Sequence, residues 1–297
     1  MRIRVLGSCA GGGLPQWNCG GPNSLRARGN DPRVPAQTQP SIAVSSDGER
    51  WSILNASPDI RDQLTRFPAL HPKPGTRDVP LDTVVLTSAE LDHVMGLLVL
   101  REALSYRVLS SRWVRESILD HNAAWRLLER AWGCAALDAA VPLDRAGALE
   151  ARFFPVAPKV PGYLREVAKP HAETTVGLRV VEIETGARLA FVPGLKALDS
   201  ATLAELAAAD LRFVDGTFFS EDELRELRPG AAGATAMGHL PITGPESSLA
   251  TLAELPGRSF YIHMNNTNPI LDRESPEAAR LAAVGVGVAF DGMEITL

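Results

Sequence analysis

The feature that most constrains the fold is a repeated order of elements, in which a β-hairpin precedes a series of strand–helix units. The first hairpin is predicted from two β-rich runs at 41–45 and 51–55, which an Asp-Gly turn joins. The second is predicted within 176–192, where a Glu-Thr-Gly turn separates two β-branched runs. This order predicts an α/β fold with two mixed β-sheets packed face to face and helices outside, a four-layer αββα sandwich.

The remaining elements are predicted from hydrophobic periodicity and from turn and cap residues. Further strands are expected at 2–6, 83–87, 151–156, 211–217 and 259–264, with a final pair of strands near 286–297. Helices are expected at 59–65, 94–105, 115–132, 199–208, 220–227, 245–254 and 275–284. Because no low-complexity linker divides the chain, we expect one domain over residues 1–297.

Charge and hydropathy argue against several classes of partner. The formal net charge is -5 without long runs of like charge, which argues against a nucleic-acid partner. No apolar run approaches the roughly 20 residues that span a bilayer, and the first residues lack the apolar core of a signal peptide. We therefore expect a cytoplasmic protein with no membrane partner. The sequence leaves the oligomeric state open, a homodimer included.

The three cysteines, Cys9, Cys19 and Cys134, are an odd number at wide spacing. This spacing suits neither a disulfide framework nor a paired-cysteine metal site, and it fits a reducing compartment. Cys134 lies in a segment rich in tryptophan and leucine, so we expect it to pack in the core.

Glycine-rich or polar segments follow four of the predicted strands, where a packed core would not favour them. The first is the loop at 7–13, whose exposed backbone N–H groups could approach an anionic ligand. The loop lacks the spacing of a dinucleotide-binding motif, and a tight connection that requires positive φ explains it equally well.

The second segment, Ser-Ala-Glu-Leu-Asp-His at 88–93, lies between a buried strand and a helix. On a regular strand or helix the side chains of Asp92 and His93 would diverge, but at a strand-to-helix turn both can point at one metal ion. The structural alternative is that Asp92 caps a helix that starts at His93.

The third and fourth segments centre on Asp215 and His263. Asp215 closes an apolar strand, where a carboxylate is costly to bury unless it is paired or binds a cation. A single histidine on a strand is more often a core residue than a ligand, but the polar run after His263 favours a functional role. The residues of this run that we expect to bind a polar substrate are Asn265, Asn266 and Asn268. His239, in a loop before a helix, is a candidate for proton transfer.

These segments together resemble one known family. The resemblance is carried by LGSCAGGGLPQWNC, LNASPDIRDQL, SAELDHVMGLLVLREA, VDGTFFSEDEL, MGHLPITGPE and IHMNNTNPIL. Over residues 1–297 the chain is similar to the coenzyme PQQ synthesis protein B family of the metallo-β-lactamase fold superfamily. The resemblance implies a metallo-β-lactamase-like αββα sandwich. It also implies a role in pyrroloquinoline quinone (PQQ) biosynthesis, with Fe(II) and O2 used to hydroxylate the tyrosine ring of a cross-linked Glu-Tyr intermediate.

The resemblance aligns residues 88–93 with the superfamily's His-x-His-x-Asp-His motif. The two leading histidine positions fall on Ser88 and Glu90, whereas Asp92 and His93 are retained. Where two-metal relatives place a bridging aspartate, this chain has Gly194. A two-metal hydrolase requires ions about 3.5 to 4 Å apart with a bridging ligand, so the sequence argues against that class.

The superfamily's later histidines fall elsewhere on the chain. The histidine ligand of the last strand corresponds to His263, an upstream Gly-His pair corresponds to His239, and His171 lies near a third histidine motif. The surviving metal ligands are Asp92, His93 and His263, with Asp215 in reserve. Two histidines and one carboxylate are the ligand set of non-heme Fe(II) oxygenases, which keep positions open for oxygen and substrate.

Many members of the family resemble Trp-Asn-Cys-x-Cys-x-x-Cys after the glycine loop, a run suited to structural zinc. This chain retains only Cys19 of those thiols. Because structural zinc normally takes four nitrogen or sulfur ligands, we predict no zinc in this loop.

We expect the remaining candidates to act around the metal. His239 or Asp215 is expected to orient the phenol or to move its proton. Glu90 is expected to hold a metal ligand or to face the substrate's amino group. Ser88 is a further substrate contact, and Arg61 is expected to clamp a carboxylate of the small-molecule substrate.

Two other functions stay open at this stage. A mononuclear zinc hydrolase would use Zn(II) and ignore oxygen, and the same two-histidine, one-carboxylate set also accepts zinc. A PQQ carrier that assists export would bind the finished quinone without turnover.

Overall fold

The structure is a computed structural model that describes residues 1–102 and 105–297. Fourteen strands are present in the described residues, and they form two seven-stranded β-sheets. The strands of the first sheet are β1 (Arg2–Gly7), β2 (Ser41–Ser45), β3 (Trp51–Leu54), β4 (Leu81–Val85), β5 (Arg107–Ser110), β6 (Trp132–Cys134) and β14 (Glu294–Thr296). They lie in the order β14-β1-β2-β3-β4-β5-β6.

The second sheet has the same mixed character. Its strands are β7 (Val141–Pro142), β8 (Leu149–Pro155), β9 (Val176–Glu182), β10 (Arg188–Val192), β11 (Leu211–Asp215), β12 (Arg258–Ile262) and β13 (Val286–Val288). They lie in the order β13-β12-β11-β10-β9-β8-β7. In each sheet an antiparallel half continues into a parallel half.

Short helices connect the strands. The α-helices are α1 (Pro22–Arg28), α2 (Ile60–Thr65), α3 (Leu91–Val94), α4 (Gly96–Leu100), α5 (Arg112–His121), α6 (Ser200–Ala207), α7 (Glu223–Leu227), α8 (Leu249–Glu254) and α9 (Pro276–Ala283). The 3-10 helices are Pro68–Leu70, Ala123–Ala131, Gly162–Leu164 and Pro269–Leu271. None of the helices within the described part of the chain has the length and apolar character needed to cross a bilayer.

Three apolar layers hold the sandwich together. The central layer joins residues of both sheets, such as Val5 and Leu54 from the first and Phe153, Phe191 and Phe213 from the second. Each such side chain, when fully buried, contributes about 1.5 to 3 kcal/mol. The other two layers pack helices and loops onto the outer face of each sheet. The predicted αββα architecture is therefore confirmed.

Both predicted hairpins are confirmed, because β2 pairs with β3 and β9 pairs with β10 in antiparallel register. The predicted final strand pair is wrong. β13 adds to β12 in the second sheet, whereas β14 adds to β1 in the first. Val286 packs in the outer layer of the second sheet and Ile295 packs between the sheets, so burial of these side chains directs the two strands to different sheets.

Several boundaries differ from the sequence prediction. The predicted helix at 94–105 is two short helices, α3 and α4, and its last part includes residues 103–104, which lie outside the described residues. The predicted helix at 115–132 is α5 followed by a 3-10 helix. Cys134 is exposed, contrary to the prediction of core packing, because it lies on the edge strand β6.

The parallel halves position the loops that matter for function. The segment 88–93 follows β4, Gly194 follows β10, Asp215 ends β11 and His263 follows β12. The carboxyl ends of parallel strands lie at one edge of a sheet, where ligands usually bind in such folds. The packing of the two sheets brings these loops to one cavity.

The backbone below the first of these loops is tightly packed at Gly96. A Cβ atom at this position would lie 2.3 Å from the carbonyl oxygen of Ser57 and 2.8 Å from the backbone of Ala56. The same Ala56 backbone accepts a hydrogen bond from Gly96 and donates one to the carbonyl oxygen of His93. Glycine at 96 therefore lets α4 approach closely enough to fix the turn that carries His93.

We expect Gly96→Ala to destabilise the protein by about 3 kcal/mol, because the backbone of Ser57 and Ala56 would have to move to make room for the added methyl group. The control is Gly20→Ala, since a Cβ atom there would meet nothing within 4 Å. Urea unfolding of both variants measures the difference. An equal loss in both variants would show that glycine removal itself, and not the close approach, is responsible.

The buried carboxyl group of Glu223 connects the loop after β11 with the loop after β12. It accepts hydrogen bonds from the backbone N–H of Phe219 and from the hydroxyl of Thr267. Burial raises the pKa of Glu223 from 4.5 to about 7, and its hydrogen bonds only partly oppose that rise. The folded protein therefore binds this proton more tightly than the unfolded chain, and the stabilisation is lost as the pH rises through about 7.

We expect Glu223→Gln to unfold with a weaker pH dependence than the parent protein between about pH 5 and pH 8. Glutamine can keep both contacts, since the Thr267 hydroxyl can accept as well as donate. Above pH 7 the variant should be more stable by up to about 3 kcal/mol. Chemical unfolding across pH measures this, with Glu254→Gln as the control, because Glu254 is exposed at the end of α8 and does not contribute to the pKa of Glu223. If Glu223→Gln keeps the parent's pH dependence of stability, the raised pKa of Glu223 is not its cause.

Candidate metal centre

A cavity of about 370 Å³ lies where the loops after β4, β10, β11 and β12 meet. Its walls include residues from the glycine loop, from the segment after β8 and from the loop before α8. The sequence-predicted residues that line it are Ser88, Glu90, Asp92, His93, Gly194, His239, His263 and Asn265. The main predicted metal site and the predicted proton-transfer histidine therefore share one cavity.

His93 is buried within α3, and one of its ring nitrogens is hydrogen-bonded while the other is free. Nδ1 lies 2.7 Å from the hydroxyl of Ser88 and 3.3 Å from that of Thr87. Nε2 has no hydrogen-bond partner among the described residues. Burial lowers the pKa of His93 to about 4, against the opposing charge of Asp92. A neutral imidazole with an open, buried nitrogen is suited to bind a metal ion.

His263 directly follows β12 and has an unusual backbone conformation, with φ of 63°. Non-glycine residues rarely adopt this left-handed region, and such residues cluster at functional sites. The conformation is held by a 2.7 Å hydrogen bond from the His263 N–H to the Ser8 carbonyl, and the Thr217 hydroxyl lies 3.0 Å from the His263 carbonyl. The glycine-rich loop thus serves to anchor His263.

The side chain of His263 lies between two carboxylates. Nε2 is 3.0 Å from Oδ2 of Asp92, and Nδ1 is 3.6 Å from Oδ1 of Asp215. Burial alone would lower the pKa of His263, but the hydrogen bonds to Asp215 and Asp92 outweigh it and raise the pKa to about 9. In the metal-free protein this ring therefore carries a proton at neutral pH.

Asp92 completes a three-residue cluster. One ligand atom each from Asp92, His93 and His263 lies within 4.8 Å of the other two. Burial opposes ionisation of Asp92, but His93 and His263 hold its pKa well below the ordinary range. Asp92 does not cap the helix: α3 begins after Glu90, and no side chain there makes a capping bond. The free His93 nitrogen and the ionised carboxylate fit a divalent transition metal.

Asp215 is buried, and both of its carboxylate oxygens accept hydrogen bonds from the protein. Oδ2 lies 2.6 Å from Nδ1 of His239 and accepts a hydrogen bond from the Leu195 N–H, whereas Oδ1 accepts two bonds from Thr217. Burial opposes ionisation, but His239 and His263 hold the pKa of Asp215 well below its usual range. Asp215, His239 and His263 also form a cluster within 4.8 Å.

The second cluster involves the Nδ1 side of both rings. Carboxylates that hold the far nitrogen of a histidine orient the ring and leave Nε2 for the ligand. Asp215 has this relation to His239 and His263, with the Thr217 hydroxyl 2.7 Å from Nδ1 of His263 and 3.0 Å from Nδ1 of His239. The geometry therefore favours Asp215 as an orienting residue. Thr217 was missed because a threonine after a strand carries no signal of its own.

His239 lies between this network and the cavity. Its ring stacks on His263 with centroids 5.6 Å apart, and its Nε2 lies 2.9 Å from Nζ of Lys159. Lys159 Nζ is also 3.3 Å from Oε1 of Glu90. Lys159 was another residue that the sequence did not reveal, because its contacts come from loops far apart in the chain.

Gly194 lines the cavity where two-metal relatives carry a bridging aspartate. Among the described residues, a Cβ atom there would meet the Thr175 side chain alone, at 3.7 Å, so a Cβ atom fits at ordinary contact distance. His171 is exposed and does not line the cavity; its Nδ1 accepts a hydrogen bond from the Glu173 N–H. His171, which lies near the superfamily's third histidine motif in sequence, is therefore outside the candidate metal centre.

Several predicted substrate contacts lie elsewhere or have other partners. Arg61 is exposed on α2 outside the cavity, so its position contradicts a clamp there. The Asn266 amide donates to Cys19 and Ser24, and the Asn268 amide donates to the Gly216 carbonyl. Both asparagines are buried, and their amide groups hold neighbouring loops in place, as buried polar groups normally find hydrogen-bond partners. The remaining two candidates line the cavity: Asn265, and Ser88 with its hydroxyl against His93.

Cys19, the remaining thiol of the predicted zinc-free loop, makes local hydrogen bonds. Its sulfur accepts from the Gly21 N–H and from Asn266. Burial would raise the thiol pKa, but hydrogen bonds from Ser24, Gly21 and Asn266 outweigh it, and the pKa is lowered. The absence of structural zinc from this loop stays a prediction.

Comparisons with known proteins agree with this geometry. A family model described as the Beta-lactamase superfamily domain matches residues 50–264. The chain is 42% identical to Coenzyme PQQ synthesis protein B from Methylococcus capsulatus and 39% identical to that from Azotobacter vinelandii, in both cases over 100% of each chain.

Solved structures show the same relationship. A crystal structure of Zn(2+)-bound PqqB from Methylobacterium extorquens superposes with a TM-score of 0.93 at 37% identity, over 100% of both chains. A diphosphatase of the PhnP family matches with a TM-score of 0.67 at 16% identity, covering 100% of this chain and 97% of that one, which shows a shared fold alone. The chain therefore belongs to the coenzyme PQQ synthesis protein B family, within the β-lactamase superfamily.

Proposed function

We propose that the chain is a metal-dependent enzyme of PQQ biosynthesis, and that it uses Fe(II) and O2 to hydroxylate the tyrosine ring of a cross-linked Glu-Tyr intermediate. The observation that carries the proposal is the convergence of Asp92, His93 and His263 within 4.8 Å of one another at the cavity. Two histidines and one carboxylate are typical ligands of non-heme iron oxygenases. Membership of the family supports the place in PQQ biosynthesis.

The residues around this cluster argue for a single ion. A two-metal hydrolase needs a second set of ligands and a bridging group. In this chain, Ser88 and Glu90 stand where the superfamily has histidines, and Gly194 stands where it has the bridge. The Ser88 hydroxyl is also occupied, since it pairs with Nδ1 of His93.

Bound Fe(II) would supply redox chemistry with O2, and the protein would supply the geometry and the proton handling. Asp215 holds Nδ1 of His239 at 2.6 Å, which leaves Nε2 directed toward the cavity and Lys159. A phenol within hydrogen-bond reach of that nitrogen could pass it a proton, a role in which histidine is effective near neutral pH. Phe218 and Met237 line the same cavity and offer an apolar wall for the aromatic ring.

The reaction can be tested on anaerobically reconstituted protein. Supplied with Fe(II), an electron donor, the cross-linked Glu-Tyr substrate and then isotopically labelled O2, the protein should release a product heavier by one labelled oxygen atom. The electron donor is needed because the second oxygen atom must leave as water. The zinc-loaded protein is the control, and it should give no such product.

Two results would overturn the proposal. Cleavage of ester or phosphoester substrates by the zinc-loaded protein without O2 consumption would support a mononuclear hydrolase. Tight PQQ binding with no turnover of the iron-loaded protein, unchanged in His93→Ala, would support a carrier.

The ligand assignment predicts a graded loss of metal. We expect His93→Ala and His263→Ala to abolish stoichiometric binding of Fe(II), because each removes one of three ligands. Asp215→Asn and Thr217→Val should weaken binding by roughly 10- to 100-fold, since they remove groups that orient a ligand. His71→Ala is the control, because His71 is exposed and, among the described residues, its ring nitrogens hydrogen-bond to backbone carbonyls alone. Metal titration with X-ray absorption measures both occupancy and ligand number.

Equal metal affinity in His93→Ala and His71→Ala would show that His93 is not a metal ligand. A lower ligand number in metal-loaded Asp215→Asn would instead make Asp215 a ligand.

A further inference from the structure

A smaller cavity of about 210 Å³ adjoins the metal cavity. The residues common to both cavities include three bases, Lys159, Arg165 and Lys196. No acidic residue among those described lines the smaller cavity, which we call the side cavity. In a chain whose formal net charge is -5, this is a local excess of positive charge.

Two of these bases have free donors. Arg165 lies between β8 and β9, and Lys196 follows β10, so two separate loops present them. Both side chains are exposed, and within the described parts of the chain neither has a carboxylate within 4.0 Å or a side-chain hydrogen bond. Their donors are therefore available to an anionic ligand.

The third base connects the side cavity to the metal centre. Nζ of Lys159 lies 2.9 Å from Nε2 of His239 and 3.3 Å from Oε1 of Glu90. Its stem crosses Gly238, where φ is 86° and a Cβ atom would lie 2.7 Å from the lysine Cδ. Glycine at 238 therefore leaves the space that this lysine occupies, at the junction of the two cavities.

We propose that Lys159, Arg165 and Lys196 form an anion-binding subsite that receives a carboxylate of the substrate while the reacting ring lies in the metal cavity. The identity of that substrate rests on the proposed function. An arginine can bind a carboxylate through two parallel N–H donors, and lysine ammonium groups add point charges. This subsite takes the role that the sequence had assigned to Arg61.

The distribution of charge also determines which end of the substrate enters which cavity. The metal cavity carries the carboxylates of Glu90 and Asp92 beside the three shared bases, whereas the charged residues among those described that line the side cavity are all bases. Like charges repel and a cleft lined by one sign of charge concentrates counter-ions. A substrate with carboxylates at one end and a phenol at the other is therefore oriented with its carboxylates away from Asp92.

The test measures binding in metal-free, oxygen-free protein with PQQ, which has three carboxylates, and with its neutral trimethyl ester as the paired probe. The double variant Arg165→Met, Lys196→Met removes both exposed charges and keeps most of each stem. We expect its Kd for PQQ to rise by roughly 10- to 100-fold, and its Kd for the ester to stay within about twofold. The matched control is Arg66→Met, Lys73→Met, which removes one arginine and one lysine that are exposed outside both cavities.

The outcomes separate this proposal from the proposed function. Parent-like PQQ binding by the double variant, or an equal loss for PQQ and the ester, would overturn the subsite even if hydroxylation is found. A selective loss of PQQ binding would support the subsite even if no hydroxylated product forms. In an active enzyme, the same variant should raise KM for the cross-linked substrate by a similar factor, with kcat changed far less.

Discussion

The buried carboxylate of Asp215 is the interaction on which the rest of the centre depends. It holds Nδ1 of His239 at 2.6 Å, and through Thr217 it reaches Nδ1 of His263. Asp215 ends β11, His263 directly follows the neighbouring strand β12, and His239 lies in the loop before α8. The carboxylate therefore fixes this loop against the ends of two paired strands. A buried ion of this kind is tolerated because each of its oxygens accepts two hydrogen bonds, from neighbours that include backbone N–H groups.

The two histidines beside Asp92 have opposite electrostatic environments. Burial keeps the pKa of His93 near 4, whereas the two carboxylates raise that of His263 to about 9. In the metal-free protein, the proton on His263 therefore offsets part of the charge of Asp92 and Asp215. A cation that binds there takes over this role from the proton, which explains how a site with two buried carboxylates can exist with and without its ion.

The sequence predicted the parts of the site that have local signals. Asp92, His93, Asp215 and His263 follow apolar strands, where a polar residue is conspicuous, and the order of elements predicted both sheets. The partners of these residues had no such signal: Lys159 meets His239 across 80 residues of chain, and no pattern of spacing encodes that contact. Polarity alone led to a wrong prediction of substrate contacts at Asn266 and Asn268. These residues instead hydrogen-bond to the backbone and side chains of neighbouring loops and do not face the cavity.

The space beside Gly194 has a consequence for how such centres diverge. Since a Cβ atom there meets only one side chain, at ordinary contact distance, the backbone that would support a bridging ligand is intact. The single-ion character proposed for this centre thus rests on the side chains at 88, 90 and 194, and not on a backbone that excludes a side chain at 194.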